Sequence, residues 1–449
     1  MIDNINKLIN ILKENIKNIH LQDKNNHYNN SLNNPKIVYK QQRTIETLHD
    51  NSLINNTSTQ NNITLSNNIQ IQINRIMEKL QKLEITNRDL LYKILDRLTL
   101  DKQKTFLNEL ELLIDILSSK DIEKKLHPKV VTAIKDSITT KAVIINGKVI
   151  TDENKNIIYK EEQEFKNLED FRNKLLTDLL DALSDPNRIS QHRKGTCSQT
   201  VIERNIDEES PDQYVKIISE LITQGYYTAP NRQKVPLNTG GIRKIKNERD
   251  YRLLCTRIIT PSFMEFHYNK DPNIDDYNDD MDKPFASYSY KTASAIYNTQ
   301  YVIADISFLN TTQKTQILKE LLKLSLKYPI FLSVTYSSNM LHAVELKDIK
   351  DKSIVISNPW GQIETYTLNS LEVTTPWQKI KVNIDEKGNP QKPSNWDTKY
   401  FQDFIKNYNK NYNEFIKNII YITIPAFLVY KIPEIFPNLP IKNIIIHSV

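Results

Sequence analysis

The feature that most limits what this chain can fold into is a histidine and an asparagine sixteen positions apart, framing a strand–turn–strand pattern. Leu341-His342-Ala343-Val344-Glu345-Leu346 is followed by a polar Lys/Asp turn and then by Ser353-Ile354-Val355-Ile356-Ser357-Asn358, which stops at Pro359-Trp360-Gly361. The pattern predicts two antiparallel strands. Such pairing brings the His342 imidazole and the Asn358 carboxamide to the same end of a hairpin. An amide that fixes an imidazole is half of a nucleophile–base–orienter arrangement. Gly195-Thr196-Cys197-Ser198 supplies a candidate nucleophile, with Gln191 six residues before the cysteine.

The chemistry can be argued from these residues alone. A free thiol titrates near ~8.5 and is mostly protonated at neutral pH. Residues 197–206 follow a Gly-Thr turn and can begin a helix, capped by Thr196 or Ser198. The helix dipole and its unpaired N–H groups would then favour a thiolate. The Cys197 N–H and the Gln191 amide can converge on a developing oxyanion, a contribution of about 3 kcal/mol in other hydrolases. Taken singly, each residue has a plainer reading. A cysteine is usually a small buried hydrophobe, a histidine at a strand end is usually structural, and Asn-Pro is a turn signal. Order, spacing and strand context together carry the functional reading.

In these respects the chain resembles the papain-like cysteine peptidases. The order Gln191, Cys197, His342, Asn358 is the family order. Asn358-Pro359-Trp360-Gly361 is worded most like the calpain branch, and the sixteen-residue step is closer to papain itself. The resemblance covers about residues 184–380. It implies an α+β catalytic domain there, with Cys197 as nucleophile, His342 as base, Asn358 as orienter and Gln191 as oxyanion donor. It also implies that Trp360 covers the His–Asn hydrogen bond, and that Gly240-Gly241 pairs with an extended protein or peptide substrate by strand addition. A simple turn is the plainer reading of that glycine pair. The Cys-Gly-Ser-Cys-Trp signature of papain is absent, since Ser198 follows the cysteine. Hydrolysis of a peptide or isopeptide bond is the expected activity. Two alternatives stand beside it: a catalytically inactive interaction protein on the same scaffold, and a thiol-dependent transamidase.

Composition narrows the remaining classes. Two cysteines in 449 residues exclude a disulfide framework, and Cys255, in an apolar run with arginines, reads as a core thiol. A net charge of +6 with interspersed signs does not describe a nucleic-acid binder. Met1 to Lys7 lacks the apolar core of a secretory signal, so a cytoplasmic protein, or one exported without a cleaved signal, is expected. No cofactor is implied. Asp271 to Asp282 holds six aspartates, but without the glycine and closing glutamate of an EF-hand it reads as a solvated acidic loop and not as a metal site.

The expected organisation has four parts. Residues 1–65 comprise an amphipathic helix (2–20) and an Asn-rich disordered linker, with an export or partner-binding tail as the alternative reading of the latter. Residues 66–183 form a helical region; 184–380 the papain-like domain; 381–449 a C-terminal extension. From Ile69 to Ile94 the apolar positions make a heptad seam with Asn87 as a polar core position. It predicts either a helix of an intramolecular bundle or a homodimer through 69–98. A hairpin is expected over 143–150, with Asn146-Gly147 as its turn. Ile419 to Tyr430 is too short to span a bilayer, and is read as docking on the body, not as touching a membrane.

Overall fold

The computed structural model describes residues 56–145, 148–155, 157–191, 195–243, 252–268, 290–306, 311–325, 328–335, 341–350, 353–367, 370–374, 379–383, 392, 419–429 and 446–447. Helix α1 (Asn56–Lys82) opens this part and buries Ile69, Ile73, Ile76 and Leu80 on one stripe. The chain separates into Met1–Thr57 and a unit spanning Ser58–Val449. The proposed helix over 2–20 and the acidic run 271–282 lie outside the described residues. The stretch read as linker extended to 65, whereas helix already begins at Asn56.

The heptad seam does not run through to residue 98. It ends at a Schellman motif: Glu84 takes φ 58°, Ile85 N–H donates to the Leu80 carbonyl at 3.0 Å, and Glu84 N–H to Gln81 at 3.0 Å. Leu80 and Ile85, the apolar pair that accompanies this cap, are both buried. Asn87 therefore falls in a short 3-10 turn (Thr86–Asp89) and is not a core position. The apolar stripe of α1 packs into the same core as α2 (Leu100–Leu117). Glu111 of α2 accepts from Lys79 at 2.8 Å and from Arg75. This is the intramolecular bundle of the two readings, and the seam is used up within the chain.

Helix α3 (Leu168–Ser184) is capped by Asn167, whose side chain accepts from Asp170 N–H at 2.8 Å. It stops at Asp185-Pro186 and delivers the chain to Gln191. Helix α4 (Cys197–Glu209) is buried from Cys197 to Asp207, which makes it the central rod of the molecule. Around it lie α5 (Pro211–Gln224) and α6 (Leu254–Tyr268). Side chains from α1 to α6 share one hydrophobic core, so residue 184 does not divide a helical region from a catalytic one.

Among the described residues the second half holds a seven-stranded sheet, all of whose pairings are antiparallel. Its strands are β1 (Tyr301–Asp305), β2 (Ile330–Thr335), β3 (Leu341–Lys350), β4 (Ser353–Asn358), β5 (Gln362–Thr367), β6 (Ile419–Pro425) and β7 (Ile446–His447). Their spatial order is β5-β4-β3-β2-β6-β1-β7. The period-two alternation of a strand sorts the side chains between two cores. Tyr301, Phe331 and Ala343 point into the helical core. Val302, Leu332, Val344 and Leu346 point the other way, against Ile317, Leu318 and Leu321 of α7 (Thr311–Ser325). Strand β6 lies between β2 and β1, in the middle of the sheet. The apolar run at 419 thus docks as a strand, and the boundary expected at 380 is not a domain boundary. Among the described residues no helix is long and apolar enough to cross a membrane.

Short pairs complete the α+β fold. Ile144–Ile145 pairs with Lys148–Val149, as the expected hairpin requires, although its turn residues lie outside the described set. Ile138–Ala142 pairs with Tyr159–Gln163, Tyr226–Thr228 with Lys234–Pro236, and Ser370–Thr374 with Lys379–Asn383.

Candidate active site

Strands β3 and β4 form the expected hairpin, with a bulge where Val355 faces Asp348 and Ile356 faces Leu346. His342 opens β3 and Asn358 closes β4. Their side chains meet, with His342 Nε2 3.0 Å from Asn358 Oδ1. Both are buried, at 2% and 0% exposure. The indole of Trp360 stacks on the imidazole, centroids 4.5 Å apart and planes inclined by 26°.

The Asn-Pro-Trp-Gly wording is a turn, and each residue has a physical task in it. Gly361 N–H donates to the Asn358 carbonyl at 3.0 Å, with proline at the second position, where its fixed φ is an advantage. Gly361 itself has φ +88°, and a Cβ there would overlap the Asn187 carbonyl. Trp360 N–H donates to Asn358 Oδ1 at 3.1 Å, and Asn358 Nδ2 donates to Glu364 Oε2 at 3.2 Å. A backbone N–H can only donate, so it fixes which end of the carboxamide is oxygen. That oxygen can only accept, so His342 Nε2 must carry a proton. In the neutral ring Nδ1 is then the unprotonated nitrogen, able only to accept.

Cys197 begins α4 on the helical side of this hairpin, and α4 packs against β3. The thiol faces the backbone N–H groups of Ala343, Ser198 and Cys197. Ala343 directly follows His342, so the sulfur and the histidine strand are neighbours. Helix and hairpin are also tied two turns further along α4. The buried Arg204 donates through Nη1 to the Asn358 carbonyl, and through Nη2 to Asn187 Oδ1 at 2.8 Å.

The electrostatics differ from the expectation of a thiolate. Burial pushes the Cys197 thiol up from its ordinary value, and the three N–H groups oppose this only in part. Burial likewise pushes His342 down, against the Asn358 hydrogen bond and the charge of Glu364. Desolvation thus acts against the charged forms of both groups and opposes the helix terminus.

The other sequence candidates occupy different positions. Gln191 is buried, and its N–H donates to the Pro359 carbonyl at 2.7 Å. That bond joins the segment before Cys197 to the turn after Asn358. Its side-chain Oε1 is buried without a hydrogen bond to a described residue. Gly240 and Gly241 start a buried helical turn (Gly240–Arg243), not an open edge. The Gly240 N–H goes to Asn238 Oδ1 at 2.8 Å, and the Gly241 carbonyl accepts from Arg257 Nε at 2.7 Å. Gly241 is needed for packing, since a Cβ would overlap the Arg257 carbonyl. With their backbone engaged in this way, the pair cannot add to a peptide strand. Cys255 is fully buried and donates to the Asp178 carbonyl at 3.7 Å, a core thiol. Sequence reasoning missed Arg204 and Glu364. The first had a signal, a charge on the buried face of α4; the second lies on a strand whose pattern is unremarkable.

What the arrangement can do is hold an imidazole in one tautomer under an aromatic cover, on the strand whose Ala343 N–H faces the helix-terminal thiol. Comparison with protein-family profiles, with curated proteins and with solved structures returned no match.

Proposed function

We propose that this protein is a cysteine peptidase of the papain-like kind, hydrolysing a peptide or isopeptide bond through Cys197, His342 and Asn358. The observation that carries the reading is the 3.0 Å contact between His342 Nε2 and Asn358 Oδ1, with the amide oriented from both ends. In this reading Nδ1 of the ring so held serves the thiol.

In this mechanism His342 Nδ1 takes the thiol proton as the sulfur attacks the substrate carbonyl. The Cys197 N–H and the Gln191 amide take the oxyanion. The imidazolium then returns its proton to the leaving amine, and a thioester remains. Water attacks the thioester with His342 as base, and the acid leaves. The burial of both groups is compatible with this sequence of steps, because proton transfer and attack proceed together. The burial of Cys197 also favours the alternative of a silent interaction protein.

The test is a peptidyl vinyl sulfone, a carbon electrophile that adds one thiol without a leaving group. The full chain should gain one adduct, on Cys197. Cys197→Ala should gain none, and His342→Ala should react at least about a thousandfold more slowly. A folded wild type that takes up no probe would support the silent scaffold.

A further inference from the structure

We infer that Glu364 is a positioning residue of this site, setting the His342 tautomer through Asn358. The inference rests on the proposed role of Cys197 and His342, and extends it by one residue. The geometry is direct. Asn358 has one acceptor oxygen and one donor nitrogen, and each end has a partner. Glu364 Oε2 takes the Nδ2–H at 3.2 Å. The oxygen is thereby left facing His342 Nε2 at 3.0 Å and Trp360 N–H at 3.1 Å. Turning the carboxamide over would bring its NH2 against the Trp360 N–H and its oxygen against a carboxylate. Both contacts are repulsive. Glu364 sits on β5, opposite Ile356 of β4 in the ladder, so its backbone is held by the strand that carries Asn358. Glu364 is partly buried, where its charge is screened less than at an open surface. The same carboxylate favours a charged imidazole, which is the form the proposed mechanism creates at the first step.

Two substitutions separate orientation from charge. Glu364→Gln keeps an oxygen that can accept from Asn358 Nδ2 but removes the charge. Glu364→Ala removes both. The readouts are the His342 tautomer, followed by long-range nitrogen–proton correlation in the 15N-histidine-labelled full chain, and the pH profile of vinyl sulfone addition. His342 signals are assigned by their loss in His342→Ala. Wild type and Glu364→Gln should show one tautomer with the proton on Nε2, and Glu364→Ala a mixture. Addition should slow about tenfold in Glu364→Ala, the scale on which an orienting partner of a histidine acts. Glu364→Gln should stay within about threefold of wild type. The acid limb should move to lower pH in both variants, because a lost negative charge lowers the histidine's affinity for a proton. Persistence of the single tautomer and unchanged addition in Glu364→Ala would overturn the inference. The tautomer is read without any turnover, so an inert wild type would defeat the peptidase reading while still deciding the role of Glu364.

Discussion

At the scale of single residues, burial decides more than charge does. His267 is the clearest case, with its pKa lowered to about 4 by desolvation, helped by Lys291. The folded state holds it neutral, while the unfolded chain takes up a proton near 6.5. Stability is therefore complete above that value and is lost as pH falls towards 4. Between pH 7 and 5 this one group should cost about 2 kcal/mol. Urea unfolding at the two pH values checks it, and His267→Phe should shrink the difference by that amount. The glycines offer a second residue-scale test. Gly195 has open space where a Cβ would sit, whereas at Gly241 it would overlap the Arg257 backbone. Gly241→Ala should lower stability by about 2 kcal/mol, and Gly195→Ala by a few tenths. Equal small losses would return Gly241 to the open turn the sequence allowed. His342, Asn358 and Trp360 were legible in the sequence because one short motif encodes both a turn and a stack. Gly241 was not, because close backbone approach looks like flexibility until the neighbour is seen.

At the scale of elements, the helices and the hairpin follow their patterns, and the misreadings have identifiable causes. The heptad from Ile69 was carried too far because a Schellman cap normally announces itself with glycine. Here the left-handed position is Glu84, in a chain with only seven glycines. The burial of the start of α4 was missed for a related reason. The pattern of Cys197-Ser198-Gln199-Thr200 looks polar and exposed, yet all four are buried. A buried ion pair holds the elements near the glycine turn. Arg257 of α6 meets Glu164 through two hydrogen bonds of 2.7 Å each and is 1% exposed. Removing the carboxylate strands the guanidinium, so Glu164→Ala should cost about 3–5 kcal/mol. Thermal or urea denaturation measures it. A loss under about 1 kcal/mol would mean the pair is solvated in solution.

At the scale of the whole molecule, one sheet joins distant parts of the chain. The class, α+β, followed from the resemblance that Cys197, His342 and Asn358 carry, but the boundaries did not. Strand β6 comes from beyond residue 380 and sits between β2 and β1. Local pattern cannot say which strand inserts where, since Ile419 to Ile424 would suit a central strand, a docking segment or an edge equally well. A chain ending at 380 should therefore lose its cooperative unfolding transition, because β1 and β2 lose their shared neighbour. Calorimetry on the truncated chain decides this, and a retained sharp transition would restore the shorter domain.

The central claim is that His342 acts on Cys197. The most direct measurement is the rate of native-state iodoacetamide labelling of each cysteine, resolved by peptide mass at neutral pH. Cys255, buried at 0% exposure, serves as the internal control. The account requires that Cys197 label much faster than Cys255 in the folded wild type. His342→Ala should slow Cys197 about a hundredfold, leave Cys255 unchanged and preserve the fold. Equal labelling of Cys197 with and without the histidine, or equally slow labelling of both cysteines in the wild type, would contradict it.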